Sequence, residues 1–236
     1  MPHASRTLER LHRPGPPALL VSLPANDPDL ARAALDGGAE GLKVHLNIEH
    51  AAAGVKFGSL DEEAEALAQI VALGLPVGLV PGDAETMASA ADIRRLAELG
   101  LDFLDAYIGA MPAWMLQQSD LPVMAALGHD DLRHPGRLSW LAALPGVQMV
   151  EASVIEHSGY GKPLSVGDLC DYTGVARAMQ PANRPVIVPT QRHILPGDVA
   201  ALAGTGIRGL LIGAIVTGAA ARGLQAATRR YREALA

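Results

Sequence analysis

The stretch EGLKVHLNIEH, Glu40 to His50, decides how the chain is read. Gly41, Leu42, Val44, Leu46 and Ile48 supply apolar surface, while Lys43, His45 and Asn47 alternate with them. Residues two apart on a strand share a face. One face of this strand therefore carries a lysine, a histidine and an asparagine. In so apolar a chain, that face looks either at water or into a site.

The same kind of element recurs on both sides. ALLVSL (Ala18–Leu23) is a short apolar run, followed by a helix in which Asp27 caps, Pro28 suits the first turn and Gly37-Gly38 ends the helix. After Glu40–Leu46 comes SLDEEAEALAQIVALG, an amphipathic helix with Ser59 and Glu62 in a capping-box pattern. Strands are then expected at Pro76–Val80, Leu101–Tyr107, Leu121–Leu127, Val147–Ser153, Arg184–Pro189 and Ile207–Gly213, each followed by a helical segment. The segment after the third strand, DAETMASAADIRRLAELG, reads as one helix.

Eight strand–helix units imply a parallel sheet, and at 236 residues they fit a single closed (β/α)8 TIM barrel. An open doubly wound sheet is the alternative. SLPAND stands where its glycine-rich fingerprint would follow the first strand. Residues 1–17 read as an N-terminal arm across the barrel bottom or against a neighbour, and 18–236 as the barrel domain.

Composition agrees with a packed enzyme-sized core: 49% of residues are hydrophobic and 19% charged. The net charge of −6 and the lack of a basic stripe argue against nucleic acid. Arg229, Arg230 and Arg232 read as the solvated end of the last helix. No apolar run is long enough to span a bilayer, and the first residues lack the apolar core of a signal peptide. The single cysteine, Cys170, cannot form an internal disulfide, so a cytoplasmic location is expected, with the thiol structural.

A parallel barrel carries its active site at the C-terminal ends of its strands. Polar residues gather there: Ser22 and Asn26, then Lys43, His45, Asn47, Glu49 and His50, then Asp83, Asp105 and Tyr107, His129, Glu151 and Ser153, and Thr190 to His193. Loops are polar anyway, which accounts for His129. It does not account for Lys43, His45, Asp105 and Glu151, which interrupt apolar strands. A charge inside a barrel is costly unless paired or hydrated. These four are the catalytic candidates.

The last unit, GLLIGAIVTG, resembles the end of the phosphate-binding (β/α)8 barrels of the ribulose-phosphate-binding group. That group includes tryptophan synthase α-subunit, thiamine phosphate synthase and N-acetylmannosamine-6-phosphate epimerase. There a glycine closes the eighth strand and a short helix begins at once, its amides holding a phosphate. Gly213 and Ala214 match that turn, and Thr217 and Gly218 follow where the main helix restarts. The chain departs from the pattern after the seventh strand, where PTQRHILPGD replaces a glycine-rich turn. Gln191 and Arg192 are the expected substitutes, with Asn47 and Asp83 as further substrate contacts. The alternative for Gly213 is tight packing of the last strand.

The resemblance implies an enzyme acting on a small phosphorylated metabolite, in the epimerase, isomerase or aldolase/lyase class. Similar epimerases pair a lysine on an early strand with a carboxylate on a later one. Lys43 would be a base, an electrostatic stabiliser or, if burial lowers its pKa, a Schiff-base nucleophile, with Glu151 the opposing acid or base. No cofactor is expected. A divalent metal is the alternative, with His45, Glu49, His50, Asp83, Asp105, Glu151 and His157 as possible ligands. A third reading is a non-catalytic barrel, in which Lys43 is merely paired and side chains fill the pocket. IEHSGYGKP, Ile155 to Pro163, is a candidate lid. A homodimer is expected from the habits of such barrels.

Overall fold

The computed structural model describes residues 4–50 and 54–236; part of the arm and of the loop after Glu49, with the side chains of His50 and Gln118, lie outside them. The barrel strands are β1 (Ala18–Ser22), β2 (Gly41–His45), β5 (Val77–Val80), β6 (Phe103–Tyr107), β7 (Val123–Leu127), β8 (Val147–Ala152), β9 (Val186–Pro189) and β10 (Gly209–Ile212). They close in the order β1-β10-β9-β8-β7-β6-β5-β2, all parallel. Because β1 pairs with both β2 and β10, the open-sheet alternative is excluded. A two-stranded antiparallel hairpin, β3 (Glu49–His50) with β4 (Val55–Lys56), stands where a plain loop was expected.

The helices are α1 (Arg6–His12), α2 (Pro28–Asp36), α3 (Leu60–Val71), α4 (Ala90–Leu99), α5 (Met115–Gln118), α6 (Arg137–Ala143), α7 (Val166–Met179), α8 (Val199–Ala203), α9 (Ala214–Thr217) and α10 (Ala221–Ala234). Their starts follow the expected chemistry. Asp27 caps α2 with Pro28 in its first turn, and Ser59 with Glu62 forms a capping box on α3. The fourth helix starts later than its sequence suggested. Asp83 accepts from the amides of Glu85 and Thr86 and so folds its own turn, leaving the Ser89–Asp92 capping box to set the start at Ala90.

Strand alternation sorts the barrel's apolar residues into two compartments. Leu19, Val21, Leu42, Val44, Leu79, Leu104, Val150, Val188 and Leu210 face outward and pack under the helices. Leu20, Phe103, Met124, Met149, Ile187 and Leu211 fill the barrel interior, joined from below by Leu11. Phe103 lies over Gly78, where an added Cβ would stand 2.0 Å from the ring. Between α2 and α10 the approach is also close: a Cβ on Gly37 would meet the Cβ of Thr228 at 2.6 Å.

The arm is a plug. Asp102, at the entrance to β6, accepts hydrogen bonds from the Ser5 hydroxyl (2.8 Å) and the amides of Arg6 (2.8 Å) and Thr7 (3.0 Å). These are orphan groups at the start of α1. At the other end, the Arg208 guanidinium donates to the carbonyls of Leu11, Arg13 and Gly15. Glu40 binds Arg10, Arg232 and the amide of Leu19, so Arg232 is not simply a solvated charge. Asp102→Ala leaves two buried donors and one part-buried donor short of an acceptor and is expected to destabilise the fold by about 2–4 kcal/mol. Urea melts check this; a loss below about 0.5 kcal/mol would mean that α1 does not depend on Asp102.

Among the described residues, no helix is long and apolar enough to cross a membrane.

Candidate active site

Above the apolar interior, the next inward-facing layer is charged. Lys43 on β2 donates to Asp105 on β6 at 2.7 Å and to Glu151 on β8 at 2.6 Å. Ser153 donates to the other oxygen of Glu151 at 2.5 Å. All are buried: Lys43 is 6% exposed, Asp105 2% and Glu151 4%. Three strands far apart in sequence thus place one ammonium between two carboxyls. Hydrophobic side chains of similar volume would often be as stable or more so, so stability alone does not account for the cluster.

Its protonation follows from the geometry. Burial works against the charge on Lys43, but the adjacent Asp105 and Glu151 outweigh it and hold the lysine well above its ordinary pKa. The expected lowering does not occur, because desolvation acts alone only on an unpaired group. Burial, reinforced by repulsion from Glu151, pushes Asp105 up to about 8 despite Lys43. Burial also opposes charge on Glu151, yet Lys43 and the hydrogen bonds from Lys43 and Ser153 hold it below the usual carboxylate value. At neutral pH the cluster therefore holds the Lys43 ammonium and one proton between the two carboxyls, with Asp105 its favoured seat. The pair titrates as a unit. Asp105 Oδ1 is buried with no hydrogen-bond partner. Two of the three N–H groups of Lys43 are used within the cluster.

The cluster is the floor of an open cavity of about 380 Å³, so the pocket is not filled by side chains. His45, Tyr107, Tyr160, His157 and Gln191 form its walls. His45 packs on Phe57, ring centroids 4.8 Å apart, and Asn26 holds its backbone at 2.7 and 3.2 Å. One strand away around the ring, beyond β1, Gly213, Ala214 and Ile215 border the cavity, with the Gly213 amide donating to Thr190 Oγ1 at 2.9 Å. Ala214 and Ile215 open α9, where backbone amides have no acceptor within the helix. Gly213 has φ −140°, and a Cβ there would stand 3.7 Å from Ser22. Neither backbone strain nor packing calls for glycine at this position, which removes the tight-packing alternative.

The structure thus brings together Lys43, His45, Asp105 and Glu151, and sets Asp83, Gln191, Gly213 and Ala214 around the same cavity. Four expected contacts are not on it. Asn47 is a left-handed turn residue (φ 55°) whose amide donates to Pro81 O, because β2 has already ended. Arg192 is paired with Asp168 at 2.8 Å and donates to Gly159 O. Thr217 bonds the carbonyl of Gly218 at the far end of α9. The loop Ile155–Pro163, the candidate lid, is tied to the segment after β9 in this conformation. Gln191 donates to the Tyr160 hydroxyl at 2.6 Å, and the backbone bonds Gly161 to Gln191 and His193 to Lys162. Ser153, Tyr107 and Tyr160 belong to the site but were not singled out as candidates. The first two lie two residues beyond Glu151 and Asp105, so alternation alone reaches them. Cys170 is exposed on α7, against the expectation of a structural thiol. Among the described residues, no group of three or more His, Cys, Asp or Glu is placed to hold a metal ion.

A closed ring of eight parallel strands with a cavity at their C-terminal ends is a (β/α)8 barrel. No protein-family model matches the sequence, and no curated protein is similar to it at a significant level. Solved structures are similar in fold. Thiamine phosphate pyrophosphorylase from Pyrococcus furiosus aligns with a TM-score of 0.63 at 15% identity, covering 92% of this chain and 95% of its own. Phosphoribosyl anthranilate isomerase from Thermus thermophilus gives 0.62 at 18% identity, over 92% and 98%. The tryptophan synthase A-subunit from Pyrococcus furiosus gives 0.64 at 12% identity, over 93% and 98%. The first and third are of kinds whose final strand and turn the sequence around Gly213 resembles.

Proposed function

We propose that the protein is an enzyme that moves a proton at a carbon beside a carbonyl in a small phosphorylated metabolite, as an isomerase, epimerase or lyase. One observation carries this reading: an ammonium and two carboxyls of divergent pKa, buried on the floor of an open cavity. Paired groups whose surroundings separate their pKa values are the signature of acid–base work.

Each residue then has a role. The ammonium of Lys43 stays charged, so it acts through its field and its remaining N–H, steadying the oxyanion that forms when the substrate loses a proton. That sets aside its roles as a free base or Schiff-base nucleophile. Glu151, ionised and steadied by Ser153, takes the proton from carbon. Asp105, which keeps its own, returns one to the opposite face or to the neighbouring carbon. The substrate's phosphate sits against the amides of Ala214 and Ile215, where Gly213 leaves room for it. The solved structures include barrels named for phosphate-bearing compounds, which supports the substrate class.

The test is to incubate the protein with a panel of aldose, ketose and amino-sugar phosphates in D2O and follow carbon-bound hydrogen by NMR. Exchange at one carbon of one substrate is expected. Glu151→Gln should slow it by about 10²–10⁴-fold. The rate should fall as pH rises through about 8, where Asp105 loses its proton. No exchange with any panel member, or exchange unaffected by Glu151→Gln, would overturn the reading.

A further inference from the structure

A second cavity, of about 300 Å³, opens at the other end of the barrel. It lies where the ends of α1 and α7 meet the loops entering β9 and β10. His12, Arg177, Gln180, Asn183, Arg184 and Arg208 supply most of its polar lining. Every ionisable residue in that lining is basic, in a chain where acidic residues outnumber lysine and arginine by 25 to 19. None of the ion pairs among the described residues involves Arg177, Arg184 or Arg208.

The three arginines differ. Arg208 is committed to the carbonyls at the end of the plug. Arg184 gives Nη2 to Leu144 O at 2.6 Å, while its Nε and Nη1 are buried without an acceptor. A guanidinium does not shed its charge, so Arg184 borders the cavity as a half-buried cation with no carboxylate beside it. Burial with no opposing carboxylate pulls its pKa down. A half-buried charge of this kind gains from an anion placed beside it. Arg177, Gln180, Asn183 and His12 are exposed at the opening and present donors to whatever enters.

We infer that this cavity binds a small oxyanion, a phosphate- or carboxylate-bearing molecule, contacted by Arg177 and Asn183 and drawn in by the field of Arg184. Guanidinium groups suit both chemistries, since each offers paired acceptor oxygens. The volume is at the lower end for small-molecule sites and admits a compact metabolite. The cavity lies at the opposite end from the Lys43 cluster, so its occupant is a ligand other than the substrate, and the inference stands apart from the reading of that cluster.

Thermal unfolding at constant ionic strength provides the test, with inorganic phosphate, pyrophosphate or malonate replacing chloride. A saturable rise in Tm is expected for at least one of them, because a ligand of the folded state stabilises it by mass action. A response to phosphate or pyrophosphate alone assigns a phosphate ligand; a response to malonate alone assigns a carboxylate. Arg177→Gln and Arg184→Gln should each weaken the apparent affinity at least tenfold. Should Arg184→Gln fail to fold, Arg177→Gln decides, since Arg177 is exposed and unpaired. A shift no larger than chloride's would overturn the inference. So would equal shifts in wild type and variants, which place the anion elsewhere, as at the Gly213 turn.

Discussion

Lys43→Met is expected to remove the proposed activity and to destabilise the fold by about 3–5 kcal/mol at neutral pH. Methionine fills a similar volume, so the loss comes from charge rather than from a cavity. Two carboxyls remain buried with no cation between them. Both then have folded pKa values above their unfolded ones. A group of that kind contributes stability below its unfolded pKa and loses it as pH rises through the folded one. The variant should therefore approach wild type near pH 4 and fall furthest behind at pH 8. Urea melts at the two pH values check this, and an equal deficit at both would show that shape, not charge, is at stake. Adding Asp105→Asn and Glu151→Gln should restore much of the stability without restoring activity. That result would mark the cluster as kept for chemistry at the expense of stability.

The same sign applies to Asp105 in the wild type. Its folded value of about 8 lies above its ordinary 3.8, so the stability it lends is full below about 4 and drains away towards pH 8. Lys43 works in another window: its contribution persists through neutrality and is lost only above the ordinary lysine range.

Gly78→Ala is the second large effect. The new methyl would meet Phe103 Cζ, Cε2 and Cε1 at 2.0, 2.3 and 2.4 Å. Phe103 is fully buried among Leu20, Met124, Met149 and Leu211, so the ring has nowhere to turn. A loss of about 3 kcal/mol is expected, or roughly 10 °C in Tm for a chain of this length. Gly41→Ala is the control: its Cβ would stand 3.5 Å from Pro76, an ordinary contact. Gly78→Ala with Phe103→Leu should recover part of the loss. A Tm unchanged in Gly78→Ala alone would mean that the lower barrel is looser than its geometry implies.

Much of this was legible in the sequence because a barrel strand writes its orientation with a period of two. Lys43 and His45 share a face, and the same rule carries from Asp105 to Tyr107 and from Glu151 to Ser153. It also separates Gln191, in step with Ile187 and Pro189 and facing the cavity, from Arg192, which faces away. What stayed hidden was partnership at a distance. The mate of Arg192 lies 24 residues earlier, and those of Lys43 lie 62 and 108 residues later. Periodicity says which way a side chain points, not what it meets. Burial of Lys43 and its pairing with a carboxyl are both legible as alternatives; that two carboxyls bind it at once, and so raise its pKa, is not. Asn47 was misplaced because alternation ends with β2, and the left-handed turn that stops it leaves little trace beyond the asparagine itself.

The arm beneath the barrel has a consequence for how the chain comes into being. Its anchors are Asp102, near the middle of the sequence, and Arg208, close to the end. The first strand likewise finds its second neighbour only in the last. During synthesis β1 must wait, one edge unpaired, until β10 has emerged, and α1 must wait for Arg208. Nascent chains halted before Arg208 hold a sheet that cannot close, and they are the form most exposed to aggregation and to the cell's folding assistants.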